Sequence, residues 1–295
     1  MSLTWNLSAI RAASRVLAVL TLTLLWASTA HAGTKITQTA CTVVIHQPGE
    51  YTLAANIGPC APGVDGIQIQ ASGVTLHLAG HTITGSAGAG TCNTSNGIRV
   101  GVAPGITGVS IQGPGTIANF HEGVRAQNSS DSSVKRVTVT ANCPFFSYGL
   151  VVLGPGDGWQ LEGNVVEEPG LTSTGILVQN SNGNDLVRNK VDDTIAFFDS
   201  NDNIVVNNTA NDNDGGIGFL TISTGCHRNE IHGNTTDNNS SVGGLILGNG
   251  STHNNITGNK SLNNLPFDIE DDNPNCGHNK YEGNHFHSAN QTCIR

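Results

Sequence analysis

Two groups of side chains in this 295-residue chain have types and spacings that could do chemistry. Arg99 and Arg125 lie 26 residues apart, with His121 and Glu122 just before the second. If the spacing stacks them, paired guanidinium groups would suit a uronate or a sulfate. Glu167, Glu168, Asp192, Asp193, Asp212, Asp214 and Asp237 recur at comparable intervals. Carboxylates brought together raise one another's pKa, which suits acid–base work, or they recruit Ca²⁺. Each group also has a plainer reading, as solvated surface charges and as turn-forming aspartates. His278, His285 and His287 are near one another but too few for a metal centre, which wants three or four converging ligands. No metal site and no organic cofactor is therefore expected, with Ca²⁺ the one ion left open.

The elements that must position these groups are repeats. Gly97-Ile98-Arg99-Val100, Gly123-Val124-Arg125-Ala126, Gly149-Leu150-Val151-Val152 and Gly175-Ile176-Leu177-Val178 follow one another at intervals of 26. The series starts at Gly66-Ile67-Gln68-Ile69 and runs on through Gly216-Ile217, Gly244-Leu245 and Asp268-Ile269. Apolar β-branched residues alternate with period two, and no 3.6-residue periodicity with capping signals appears. Strands this short cannot bury a face alone, but stacked in register they share one continuous core. The expected fold is all-β, a single-stranded right-handed parallel β-helix of about nine coils, roughly 40 Å long at the usual inter-strand spacing. Asn164, Asn189, Asn208, Asn234, Asn259 and Asn284 recur at one place in the repeat and predict a stacked ladder at a corner. Asn184, Asn203, Asn229, Asn254 and Asn279 form a second column with the same meaning.

Residues 1–32 read as a signal peptide: Arg11 and Arg15 precede the apolar run from Val16 to Trp26, and Ala30-His31-Ala32 suits signal-peptidase cleavage. A cap segment at 33–65 and the β-helix at 66–295 follow. No other segment could span a membrane, so a secreted or periplasmic location is expected. Charged residues make up 12% of the chain and the net charge is −9, with no basic patch, which excludes nucleic acid as a partner. Among seven cysteines in an exported chain, Cys41 with Cys60 and Cys276 with Cys293 would pin the two ends. Cys92 and Cys143 lie two turns apart, near 10 Å, beyond bridging range unless their loops lean together. Cys226 would be unpaired or shared between chains.

The stretch from Gly73 to Gly85, Gly-Val-Thr-Leu-His-Leu-Ala-Gly-His-Thr-Ile-Thr-Gly, resembles the entry repeat of bacterial right-handed parallel β-helix proteins, as do the turns His232-Gly233-Asn234 and Thr257-Gly258-Asn259. These belong to the pectin-lyase-like superfamily, which includes carbohydrate-binding and sugar-hydrolase repeats and a NosD-like group. The resemblance implies polysaccharide lyases, hydrolases, epimerases, adhesins or accessory proteins of copper-site assembly. Fold alone does not choose among these. Asp192-Asp193 matches locally the paired aspartates of pectin-active hydrolases, but Gly-His-Gly and the epimerase Asp-Pro-His are absent.

The superfamily's groove runs along the outward side chains of the first strand in each repeat. Here these are Gln68, Arg99, Arg125, Val151, Leu177, Ala196, Gly218, Ile246 and Glu270, with Leu153, Phe198 and Leu220 extending the apolar middle. Such a water-facing stripe is expected to be covered by sugar rings, by the chain's own loops or by another copy. The leading function is polysaccharide interaction. A lyase or hydrolase acting on acidic polymers is the first alternative, so catalysis stays open. The others are an assembly protein, homo-oligomeric through the stripe, or a NosD-like accessory protein.

Overall fold

The computed structural model describes residues 33–86, 95–101, 105–140, 147–167, 173–220 and 222–295. The segment 1–32, Cys92, Cys143 and Glu168 lie outside them. Thr34–Arg295 forms one compact unit. Its strands assemble into three parallel sheets of a β-helix with about nine turns. A front sheet of ten strands runs from Val43–Ile45 to Ile269–Asp271. A back sheet of eleven runs from Thr34–Ile36 to Lys280–Glu282, and a side sheet of nine from Ile57–Cys60 to Lys260–Leu262. Each turn contributes one strand to each: Asn96–Val100 in front, Ser110–Gln112 behind, Thr116–Ala118 at the side, then Glu122–Gln127 in front again.

Alternation decides which residues face in. Ile98, Val124, Leu150, Ile176, Ile195, Ile217 and Leu245 pair in register along the front sheet and are at most 2% exposed. A second inward row holds Val100, Val152, Val178, Phe197, Phe219 and Leu247, with the two phenylalanine rings stacked at 4.5 Å. Each such burial contributes about 1.5–3 kcal/mol, so core stability is spread evenly along the coil. The repeated glycines have a packing cause. A Cβ at Gly123 would lie 2.4 Å from Val139 Cγ1 and 2.6 Å from the Gly149 carbonyl, because the side sheet passes directly beneath the start of each front strand.

The corners are held by asparagine. Asn189 donates its backbone N–H and its Nδ2–H to Asn208 Oδ1, both at 2.9 Å. Its other Nδ2–H goes to the Leu161 carbonyl at 2.8 Å. Asn164, Asn208, Asn234 and Asn259 repeat this pattern, and the series ends on Asn284. A second ladder climbs from Asn184 through Asn203, Asn229 and Asn254 to Asn279. A third and shorter one, Asn213–Asn239–Asn264, holds another corner and finishes on Asp268.

Disulfides join Cys41 to Cys60 and Cys276 to Cys293, with Cα separations of 5.6 and 6.2 Å. Cys226 is free and fully buried, so it is not available to a second chain. At the C-terminal end the inward row passes from Leu247 to Asp271. This buried carboxylate accepts hydrogen bonds from Asn273, Asn279 Nδ2 and Tyr281 Oη, the last at 2.7 Å. The apolar core thus ends against a fully bonded polar layer.

Ile176→Ala should cost about 2–5 kcal/mol in urea unfolding, through the cavity it leaves. Asn208→Ala orphans both Asn189 donors and the Leu186 carbonyl, at about 1–3 kcal/mol per group. A loss in Asn208→Ala no larger than in the exposed Asn255→Ala would show that the ladder does not carry the corner.

Candidate functional site

The front sheet presents one uninterrupted outward row: Val44, Gln68, Arg99, Arg125, Val151, Leu177, Ala196, Gly218, Ile246 and Glu270. Two shorter rows flank it. Asn96, Glu122, Tyr148, Thr174 and Thr194 lie towards the strand starts, and Gln127, Leu153, Gln179, Phe198 and Leu220 towards the strand ends.

The middle of the central row is not water-facing. Val151 is 2% exposed, Leu177 9% and Ala196 4%. Together they form a second apolar cluster outside the coil, with Tyr148, Leu153 and Phe198 packed against it. The expectation of an exposed stripe is corrected here. The flanking rows carry larger side chains than the central one, and diagonal neighbours on a sheet are within reach of aromatic and long side chains.

The N-terminal end of the face is polar. Arg125 Nη1 contacts both carboxylate oxygens of Glu122, at 2.7 and 3.0 Å, and Nη2 donates to Gln127 Oε1 at 3.2 Å. The half-buried guanidinium is therefore neutralised by a buried acid. The guanidinium of Arg99, a residue paired in register with Arg125, makes no hydrogen bond or ion pair among the described residues. His121 sits edge-on to Tyr148 at 5.9 Å. Asp65 ties the next coil, accepting from Asn96 N and Nδ2 at 2.9 Å and from Gln68 Nε2 at 3.0 Å.

Three front strands further on, about 14 Å away, stand Asp193 and Asp214. Asp193 is 7% exposed and accepts the Thr194 N–H at 2.6 Å. Burial pushes its carboxyl up to about 7, against the pull of that N–H, and the nearby exposed Asp214 adds to the rise. The structure thus places two separate groups on the front sheet, Arg99–Arg125–Glu122, with His121 turned to Tyr148, and Asp193–Asp214. The other acidic residues do not join them. Asp192 pairs with Lys190, Asp237 with Lys260, and Asp212 accepts from Asn238.

One carboxylate escaped sequence reasoning. Asp199 accepts the N–H groups of Ile222, Ser223, Thr224 and Gly225 at 2.9–3.2 Å. Burial works against its ionisation, but these bonds outweigh that and hold the carboxyl down at about 2. It anchors the loop beside the apolar cluster, and no motif in the sequence marks it.

A family model described as NosD, periplasmic copper-binding protein, matches residues 35–243 and again 157–295. Among solved structures, polygalacturonase from Erwinia carotovora ssp. carotovora superposes with a TM-score of 0.55 at 11% identity, over 90% of this chain and 84% of that one. The A-module of the Azotobacter vinelandii mannuronan C-5 epimerase AlgE4 gives 0.52 at 13%, over 90% of each chain. A mutant of the periplasmic alginate epimerase AlgG gives 0.52 at 13%, over 85% of this chain and 75% of that one. At such identities the likeness is one of fold. No curated protein matches the chain.

The family description names copper, which asks for converging imidazole, thiolate or thioether donors. Among the described residues no three His, Cys, Asp or Glu side chains converge. Four cysteines are in disulfides, burial pushes the Cys226 thiol up to about 11, and the single methionine is Met1. A closed copper centre does not fit the described coil.

Leu177→Asp should destabilise the folded protein by more than about 2 kcal/mol, since it buries a charge in the apolar cluster. An unchanged melting temperature would show the cluster to be unimportant. Asp193 yields a signed pH effect. The folded state keeps its proton where the unfolded chain, with an ordinary value of 3.8, has lost it. Stability should therefore fall as pH rises from about 4 to about 7. Asp193→Asn should remove that slope and be the more stable form above pH 7, by thermal unfolding across pH.

Proposed function

The chain belongs to the NosD family, and we propose that within it this protein is an exported β-helix whose front sheet holds a polysaccharide chain. The observation that carries this reading is the in-register front sheet, whose rows advance one residue per coil, about 4.8 Å apart, so that the accessible positions at its polar end and along its flanks can follow a repeating polymer. Its polar end supplies the guanidinium of Arg99, which has no side-chain partner among the described residues and suits a uronate or sulfate, and the half-buried Tyr148, Leu153 and Phe198 beside it offer ring and apolar faces to a sugar. That the same fold serves a polygalacturonase and two epimerases, an alginate epimerase and a mannuronan C-5 epimerase, supports the substrate class. Export rests on the leader-like sequence at 1–32, the two disulfides and the periplasmic family description.

A second reading, catalysis on the bound polymer, is favoured by one observation. Asp193 is a buried carboxyl that burial pushes up to about 7, with the charge of Asp214 adding to the rise, which suits a group that gives and takes protons. Assembly through the stripe loses its motive, because the central residues are already buried within the chain.

Affinity electrophoresis against polygalacturonate, alginate and a neutral glucan separates these readings. The mature protein should bind the acidic polymers, and Arg99→Ala should weaken that binding about tenfold while leaving the fold intact. Equal binding of neutral and acidic polymers, unaffected by Arg99→Ala, would overturn the site. Turnover of an acidic polymer that Asp193→Asn abolishes would establish the enzyme. Intact mass should show the exported form beginning at Gly33.

A further inference from the structure

The front sheet is unevenly charged. Among the described residues its ten strands hold two cations, Arg99 and Arg125. Both stand in its N-terminal half. Two acids balance them there, but both are buried and bonded, Asp65 to Asn96 and Gln68, and Glu122 to Arg125. The charge left open to a ligand is the guanidinium of Arg99.

Among the described residues the C-terminal half offers acids and no cation. Asp193 and Asp214 precede the strands of Ala196 and Gly218, and Asp214 is exposed. Glu270 stands in the central row two strands past Gly218, followed by the exposed Asp272. Burial raises the Glu270 carboxyl and the charge of Asp272 adds to the rise, so the two acids lie within each other's field. Lys190 and Lys260 start side-sheet strands and are already paired with Asp192 and Asp237.

Screening sets how far these acids act. At about 0.1 M salt the Debye length is about 10 Å, or about two coils. Asp214 therefore opposes an anion as far back as Leu177, two front strands before Gly218. Arg99 lies five strands before Gly218, about 24 Å, and is out of that reach. A sugar ring in an extended chain is about as long as one coil. Acidic sugars can therefore lie over Arg99, Arg125 and Val151, and the next one meets the field of Asp214.

We propose that the front sheet selects a short acidic block, about three uronate residues long, at its N-terminal end, and that Asp214 and Glu270 keep any further acidic residue off its C-terminal half. Only neutral or esterified sugars can extend over that half. This rests on the polysaccharide reading and adds the charge pattern of the substrate to it. An acidic homopolymer is then held by its end, with the remainder running off past Gln68 and Val44 into solvent.

Calorimetry on the mature protein with galacturonate oligomers of two to six residues tests this. Affinity should rise from dimer to trimer and then stay within about threefold up to the hexamer. A hexamer methyl-esterified on the three residues at one end should bind about tenfold tighter than the fully acidic hexamer, for one choice of end. That comparison needs no variant. In Asp214→Asn/Glu270→Gln, with unchanged circular dichroism, the fully acidic oligomers should gain affinity steadily up to the hexamer. Arg99→Ala should weaken every oligomer. Oligomers that bind through Arg99 yet gain affinity steadily to the hexamer in the parent, or an esterified hexamer that binds no tighter for either end, would overturn the short-block assignment and leave the polysaccharide reading standing. No binding at any length would remove both.

Discussion

No coil of this protein can exist without the next one. A turn of three short strands buries nothing until another turn lies on it, and its tight corners leave backbone groups that only the neighbouring turn can bond. The asparagine ladders answer that need. Each side-chain amide in the ladder takes two hydrogen bonds from the turn before it and gives one back to a carbonyl of that turn and one forward, so from Asn164 on the register of each coil is fixed by the one beside it. A slip of one residue would break the ladder and turn each inward row outward at once.

That constraint also shapes the surface. Because register is fixed, outward side chains stand in rows whether or not function asks for rows. Chemistry is then set by which residue types fill them. Along the front sheet the filling changes from a bonded polar network at Asp65, Glu122 and Arg125, through an apolar patch, to an acid pair at Asp193 and Asp214. The same rule puts the imidazoles of His253 and His278 in contact at a corner where neither is needed for packing.

Much of this was legible in the sequence, for reasons that differ by residue. The period of Gly97, Gly123, Gly149 and Gly175 is visible because close approach admits no other side chain there. The front-sheet core was readable from alternation. What alternation does not convey is lateral contact. Tyr148, Leu153 and Phe198 lean across to cover Val151, Leu177 and Ala196, and the sequence shows only that all of them point outward. Glu122 and Arg125 are three apart, which alternation places on opposite faces, yet both carboxylate oxygens of Glu122 reach Arg125 Nη1. Asp199 was invisible because its partners are backbone groups of a loop some 23 to 26 residues on. His253 and His278 differ by 25, one repeat, so that contact could have been found by laying every histidine on the period.

Asp271 has a meaning beyond closing the core. A parallel coil is by nature a template: its last turn offers the same edge that every earlier turn offered to its successor, and nothing in stacking limits the number of turns. Here that edge is already taken: besides its bonds to Asn273, Asn279 and Tyr281, Asp271 gives its N–H to Asn290 Oδ1 and its carbonyl accepts from Asn290 Nδ2 and Gln291 Nε2, so a second molecule docking end to end would meet a covered layer. Desolvating that layer without new partners is unfavourable, and the Cys276–Cys293 loop stands nearby as well. The acid at the end of the core row therefore works as a stop mark.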